Sequence, residues 1–160
     1  MKIMKKQLFI LTTILALLVS YIVPFSTTVS AAANLTVQEA IANNSGTGTV
    51  EGYIVGYTNS GASYDFEAPF SADTNFAIAD KADETDPAKI LPVQLPTALR
   101  AKFGLKTNPD IVGKKVIITG SLEAYFSVPG LKNPTAMNFD GETPEEPGPF
   151  EGIEGLRIHD

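Results

Sequence analysis

Five strand-like runs between Thr47 and Phe139 constrain the fold of this chain more than any other feature. Their residues alternate apolar and polar side chains or are rich in β-branched and aromatic types, which is typical of β-strands. The runs cover residues 47–57, 75–80, 90–95, 114–125 and 136–139, and a helix-like segment, residues 96–105, separates the third from the fourth. This chain order is typical of a small closed barrel of five strands.

A second short helix is expected ahead of the first strand. Thr36 and Glu39 have the spacing of a capping box, and residues 43–46 (NNSG) favour the turn geometry that ends a helix. Gly52 and Gly56 interrupt the first strand, and such glycines permit the sharp bend with which a strand joins both halves of a small barrel.

The N-terminus has the order of an export signal. Lys2, Lys5 and Lys6 precede an apolar run over residues 8–23, and small residues ending at Ala33 offer a cleavage site. We therefore expect residues 1–33 to be a signal peptide and the protein to be secreted, either extracellular or associated with the cell wall. A retained membrane anchor is the alternative, although the run is shorter than the ~20 residues that span a bilayer. No transmembrane segment is expected after cleavage.

Composition argues for a binding module. Removal of the signal would leave 127 of the 160 residues and change the net charge from −6 to −9, because three lysines leave with it. Such a charge opposes non-specific attraction to phosphate, so nucleic-acid binding would need a local basic face. The chain has no Cys, and its one His is residue 159. It therefore lacks the usual means of building a hydrolytic or redox centre, and we expect neither an enzyme nor a cofactor.

The C-terminal tail differs in composition from the rest. Residues 141–155 are rich in Pro, Glu and Gly, which predicts a linker, and residues 156–160 read as the truncated start of a following domain. His159 and Asp160 would then have no fixed catalytic partner. The domain itself is assigned to residues 34–140.

Several segments together resemble an OB-fold, and more narrowly the exported OB-fold-like domain of unknown function at the N-terminus of secreted Gram-positive nucleases of the sugar-nonspecific type. These are LTVQEAIANNSGTGTVEGYIVG, NFAIAD, DETDPAKILPVQLP, LRAKFGLKTNP and GKKVIITGSLEAYFSVPGLKNP. The resemblance implies a mainly β, five-stranded barrel with an N-terminal helix and a short helix between strands 3 and 4. It also implies a nuclease domain in longer homologues, whose catalytic residues cannot be carried onto this chain.

An OB-fold binds ligands on the face of its second and third strands and on the loops after strands one and four. Aromatic side chains there would stack on bases, and lysines would meet phosphates. The candidate residues are Tyr57, Tyr64, Phe76, Lys102, Tyr125, Phe126 and Lys132, with Lys106 and Lys114 as further phosphate contacts. The competing interpretation is that Phe76, Tyr125 and Tyr53 pack the core and that the lysines are solvated charges.

An acidic stretch supplies a possible calcium site. Asp80, Asp83, Glu84 and Asp86 offer oxygen ligands at loop spacing, but they lack the EF-hand register, and a solvated turn is the competing interpretation.

Two functions stay open at this point. The first is a non-catalytic accessory module that binds single-stranded nucleic acid or a nucleotide for an extracellular nuclease. The second is an exported module that binds a protein or cell-wall glycan and has no nucleic-acid site, since OB-folds also bind oligosaccharides.

Overall fold

Six strands and two short α-helices make up residues 32–142, the range that the computed structural model describes. The predicted signal sequence up to residue 31 and the tail from residue 143, with His159 and Asp160, lie outside the described residues. The helices are α1 (Val37–Ala42) and α2 (Thr97–Phe103), and the strands are β1 (Thr47–Ser60), β2 (Ser63–Asp65), β3 (Asn75–Ala79), β4 (Ile90–Gln94), β5 (Lys115–Tyr125) and β6 (Val128–Phe139). Two 3₁₀ turns, Pro87–Lys89 and Pro109–Ile111, precede β4 and β5.

The sheet closes on itself. Its strand order is β2-β1-β3-β4-β6-β5, and pairing between β1 and β5 completes the ring. The pairs are antiparallel except β4–β6, which is joined in parallel at Val93 and Leu131 alone, so the ring is not a regular barrel. If the short β2 is left aside, the remaining five strands follow the order expected of an OB-fold. The predicted fold class, mainly β and OB-fold-like, is confirmed.

Strand β1 bends to take part in three pairings. Its first half pairs with β5, its centre with β3 and its last residues with β2. The register shifts between Ile54 and Gly56, and the backbone of Asp65 lies where a Cβ on Gly56 would be. The bend predicted from the glycines is therefore present, and it needs glycine because another strand crosses at contact distance.

Helix α1 is fixed at its N-terminus by two carboxylates. The Thr36 hydroxyl accepts from the Glu39 amide, and the Glu39 side chain accepts from the Thr36 amide, so the predicted capping box is formed. Asp80, directly after β3, accepts from the amides of Val37 at 2.7 Å and Gln38 at 3.1 Å. Within residues 32–142, no helix is long and apolar enough to cross a membrane.

The prediction for the last strand was wrong in its start. It begins at Val128 rather than Ala136, so Pro129, Gly130 and Pro134 lie within β6 and not in a loop. Proline is excluded from strands paired on both sides because it lacks an N–H donor. Strand β6 pairs with β4 only at Leu131. The edge of β6 that faces β4 therefore needs few N–H donors, and proline is tolerated there. Strand β2 was not predicted at all.

Candidate nucleic-acid interface

The outer face of β3 and β4, where an OB-fold is expected to bind its ligand, is covered by the protein itself. All five residues of β3 are buried, which requires cover on both faces because side chains alternate along a strand. The cover comes from Tyr64 and Phe66, which pack on a cluster separate from the main core. This outer cluster consists of Val55, Ala77, Ala79 and Ile90. The expected face is therefore not open in this structure.

Phe76 points to the other side of β3, into the main core. Its side chain has 0% exposure and packs in one cluster with Ile54, Ile78 and Leu91. A ring without exposed surface cannot stack on a base, so the core-packing interpretation applies to Phe76. Alternation along β3 explains the burial, since Phe76 and Ile78 share the inward parity.

The first loop contributes two tyrosines in different settings. Tyr57 keeps only 8% of its surface exposed and belongs to the main core. Tyr64 is half-buried, its hydroxyl oxygen is buried without a hydrogen-bond partner, and burial raises the pKa of that hydroxyl. Both rings are therefore less accessible than expected from their place near a loop.

Tyr125 and Phe126 form an aromatic pair at the turn between β5 and β6. Their ring centroids lie 4.2 Å apart at an interplanar angle of 41°, and both side chains are half-buried. Phe126 has a φ of 55° and Ser127 a φ of 66°, so the two-residue turn has the left-handed backbone that favours tight hairpins. Among the predicted aromatic site residues, Tyr125 and Phe126 are the two that pack against each other and both keep part of their surface exposed.

Two further side chains lie close to this pair. Burial raises the pKa of Tyr125, the nearby Tyr57 raises it further, and Arg100 opposes the rise. Tyr57 and Arg100 are therefore near enough to Tyr125 to act on its hydroxyl electrostatically, and Arg100 is not among the predicted site residues. Sequence reasoning missed Arg100 because the spacing of residues in α2 shows which side chains face inward, but not which strand lies next to the outward-facing ones. The Nε of Arg100 donates to the carbonyl of Leu95 at 3.0 Å.

Lys132 lies on the same outer face of the β5–β6 hairpin. It pairs with Ser121, which shares the outward parity of β5 with Glu123 and Tyr125. Its Nζ is 3.1 Å from Oε1 of Glu123, so its charge is offset by a neighbouring carboxylate.

Lys102 is at a different end of the sheet. Its Nζ is 2.7 Å from Oε2 of Glu142 and 5.6 Å from the ring centroid of Phe139. Phe139 pairs with Val116, near the start of β5, whereas Tyr125 ends that strand. Lys114 lies over the same Phe139 ring at 5.2 Å. These lysines are not neighbours of the aromatic pair, and the hydrogen bond from Lys102 lowers the pKa of Glu142.

The acidic stretch has structural hydrogen bonds. Asp80 caps α1, Asp86 accepts from the amide of Ala88 at 3.0 Å, and Glu84 accepts from two backbone amides. In the part of the chain that the structure describes, no three Asp, Glu, His or Cys side chains are grouped so that they could hold a metal ion. No such group of side chains therefore supports the calcium site predicted at Asp80, Asp83, Glu84 and Asp86.

The order in which the strands close the ring defines a small OB-fold-like domain whose usual ligand face is covered by its own hairpin. The chain belongs to the family described as domain of unknown function DUF6359, whose model matches residues 35–140.

A curated relative of the chain is Endonuclease YhcR of Bacillus subtilis (strain 168), with 45% identity over 113 residues. That match covers 71% of this chain but only 9% of the endonuclease. The resemblance to a domain associated with Gram-positive nucleases is thereby confirmed. Among solved structures, the hypothetical protein ygiW from E. coli is similar at 14% identity and a TM-score of 0.41, covering 69% of this chain and 92% of that one.

Proposed function

We propose that the domain is a non-catalytic accessory module that holds single-stranded nucleic acid or a nucleotide for an extracellular nuclease. The observation that carries this proposal is the accessible Tyr125–Phe126 pair at the turn between β5 and β6. This turn corresponds to one of the two loops with which OB-folds contact oligonucleotides. The identity with a segment of an endonuclease supports the same ligand class.

Stacking is the main interaction that these residues offer. A base placed on an aromatic ring of a single-strand-binding protein contributes ~1 to 3 kcal/mol, as judged by alanine substitution. Arg100, whose charge acts on Tyr125, and Lys132, on the outer face of the same hairpin, are the cations that we assign to a bound phosphate backbone. A ligand of a few nucleotides, held by stacking more than by charge, fits this surface.

The test is a fluorescence-anisotropy titration of the full chain with labelled oligothymidine at several salt concentrations. With one or two phosphates neutralised, we expect log K to fall against log salt with a slope between about −0.7 and −1.4. Tyr125→Ala and Phe126→Ala should each weaken binding by about fivefold or more. Phe139→Ala is the matched control, because Phe139 is also a half-buried ring but pairs with Val116, near the opposite end of β5 from Tyr125.

Three outcomes would contradict the proposal. These are no binding at the lowest salt, equal losses in Phe139→Ala and Phe126→Ala, or a slope steeper than about −3, which would require a basic surface elsewhere. Repeating the titration with calcium and then a chelator tests the calcium prediction in the same experiment.

A second candidate is supported by the ion pairs. Lys102, Lys115 and Lys132 each lie within 3.1 Å of a carboxylate oxygen, so much of the positive charge is offset. An uncharged ligand such as a cell-wall glycan would stack on the same rings, and its binding would not require free positive charge. Binding that depends on Phe126 but not on salt would favour this candidate.

The extracellular location is part of the proposal and rests on the export-signal pattern of residues 1–33. Mass spectrometry of the protein recovered from culture medium tests it. A mature N-terminus just after Ala31 or Ala33 is expected, whereas an intact Met1 in the cell fraction would contradict it.

A further inference from the structure

The β1–β2 hairpin and the residue after it form a strap, residues 58–66, across the outer face of β3 and β4. Tyr64 and Phe66 pack on the outer cluster of that face. At the tip of the strap, Gly61 comes close to the carbonyl oxygen of Phe126, and Ala62 lines a groove of about 420 Å³ together with Ile90, Val128 and Pro129. The strap therefore reaches from the usual ligand face of the fold to the Tyr125–Phe126 turn.

The strap is fixed at both ends and held weakly between them. Tyr57 before it and Phe70 after it belong to the main core, and the amide of Thr58 donates to Oδ1 of Asn75 at 2.9 Å. Strand β2 has three residues and pairs only with β1. Tyr64 and Phe66 are only half-buried in this position, and two of the four residues beneath them are alanines, which limits the apolar area that the strap removes from water.

Two polar atoms of the strap are buried without a hydrogen bond. They are Oγ1 of Thr58, a residue with 0% exposure, and the hydroxyl oxygen of Tyr64. The two residues oppose each other in the β1–β2 ladder. A buried hydroxyl that has lost its water without gaining a partner disfavours the closed state, and both hydroxyls regain water if the strap lifts.

We propose that residues 59–66 lift from the β3–β4 face when single-stranded nucleic acid binds, while Thr58 stays bonded to Asn75, so that Tyr64 and Phe66 stop covering the face and contact the ligand. The ligand class rests on the proposed function, whereas the movement rests on the strap's own contacts. Lifting would join the β3–β4 face to the Tyr125–Phe126 turn as one surface. The affinity measured for the ligand is then reduced by the fraction of molecules in which the strap is closed.

Hydrogen exchange of the full chain, followed by mass spectrometry, tests the movement. Amides of residues 59–66 should exchange faster than those of the β5–β6 ladder. Thr58→Val and Tyr64→Phe remove an unpartnered hydroxyl and keep the shape, so each should slow exchange in the strap by about fivefold or more. Thr49→Val is the matched control, because the Thr49 hydroxyl is already bonded to that of Thr119 at 2.8 Å. Equal exchange of strap and ladder, or no slowing in either variant, would overturn the movement.

A covalent lock tests the link to binding. The chain has no Cys, so Ala62→Cys with Pro129→Cys gives two unique thiols that a short bismaleimide can join across the groove. The joined protein should bind an oligothymidine long enough to reach β3 at least tenfold more weakly than the same variant before joining, and Thr58→Val should lower affinity for that strand by the factor by which it slows exchange. Full affinity in the joined protein would overturn the strap inference and leave the proposed function intact. Absence of binding in every form would overturn the proposed function, and the exchange data alone would then decide the movement.

Discussion

Replacing Phe76 by alanine tests whether its ring packs in the core or contacts a ligand. The side chain has no exposed surface and lies on β3 opposite Val93 of β4, inside the main core. Loss of a buried phenylalanine ring costs about 3–5 kcal/mol, because the transfer free energy of the ring and the cavity it leaves both count. Domains of this size have about 5–15 kcal/mol in total, so Phe76→Ala is expected to remain folded only narrowly.

Urea unfolding followed by far-UV circular dichroism measures the effect, and it suits a chain that contains no Trp. With an m-value of about 2 kcal/mol per molar, a loss of about 4 kcal/mol lowers the midpoint by about 2 M. Phe76→Leu should cost clearly less, because it fills most of the volume. Phe126→Ala, at a half-buried turn, should change the midpoint by less than about 0.5 M. The reasoning is refuted if Phe76→Ala leaves the midpoint unchanged while it abolishes oligonucleotide binding.

Three other changes test electrostatic contacts. Burial raises the pKa of the Asp73 carboxyl, but two hydrogen bonds from Thr107, with the backbone amide and charge of Lys106, outweigh burial and lower the pKa overall. These contacts therefore stabilise the fold above the ordinary pKa of about 4, and their contribution is lost as the pH falls through the lowered value. Urea midpoints at pH 7 and pH 3 should therefore differ less in Asp73→Asn than in the natural sequence, and an equal difference would contradict the assignment. Asp80→Ala removes the acceptor for two amides at the start of α1 and should cost about 1 kcal/mol, or about 4 °C in a thermal melt, with no change as the contrary result. Glu51→Gln breaks the partly exposed ion pair with Lys115 (2.8 Å) and should cost less than about 1 kcal/mol, a loss that shrinks in high salt; a loss independent of salt would point to packing instead.

Most of the fold was predictable because its signals are local. The alternation of Val116, Ile118 and Leu122 in β5, the capping box at Thr36 and the glycines of β1 each specify an element from neighbouring residues. The start of β6 was predicted wrongly because two prolines normally end a strand. They are tolerated here because the edge of β6 toward β4 is mostly unpaired, and the sequence of β6 does not show how the strand pairs with distant β4.

The site was less predictable because exposure depends on packing between distant segments. Tyr57, Phe76 and Tyr125 are similar aromatic residues near strand ends in the sequence, yet their burial ranges from complete to partial. The same holds for Lys132, whose partner Glu123 becomes a neighbour only through the β5–β6 pairing. The packing of the strap on the β3–β4 face was the hardest feature to predict, because β2 has only three residues and shows no alternation of apolar and polar side chains.

The residues beneath the strap indicate where a ligand would find its stacking partners. Single-strand-binding proteins stack successive bases on aromatic side chains. On the outer parity of β3 this domain has Ala77 and Ala79, which offer no ring. Aromatic contacts would therefore come from Tyr53 of β1, which pairs with Ala79, from the strap, through Tyr64 and Phe66, or from the turn after β5. A ligand that binds the turn alone leaves the strap closed, whereas one long enough to reach β3 has to displace it. Affinity for oligothymidine should consequently rise with length up to a few nucleotides, stay level, and rise again only for strands that can reach the covered face.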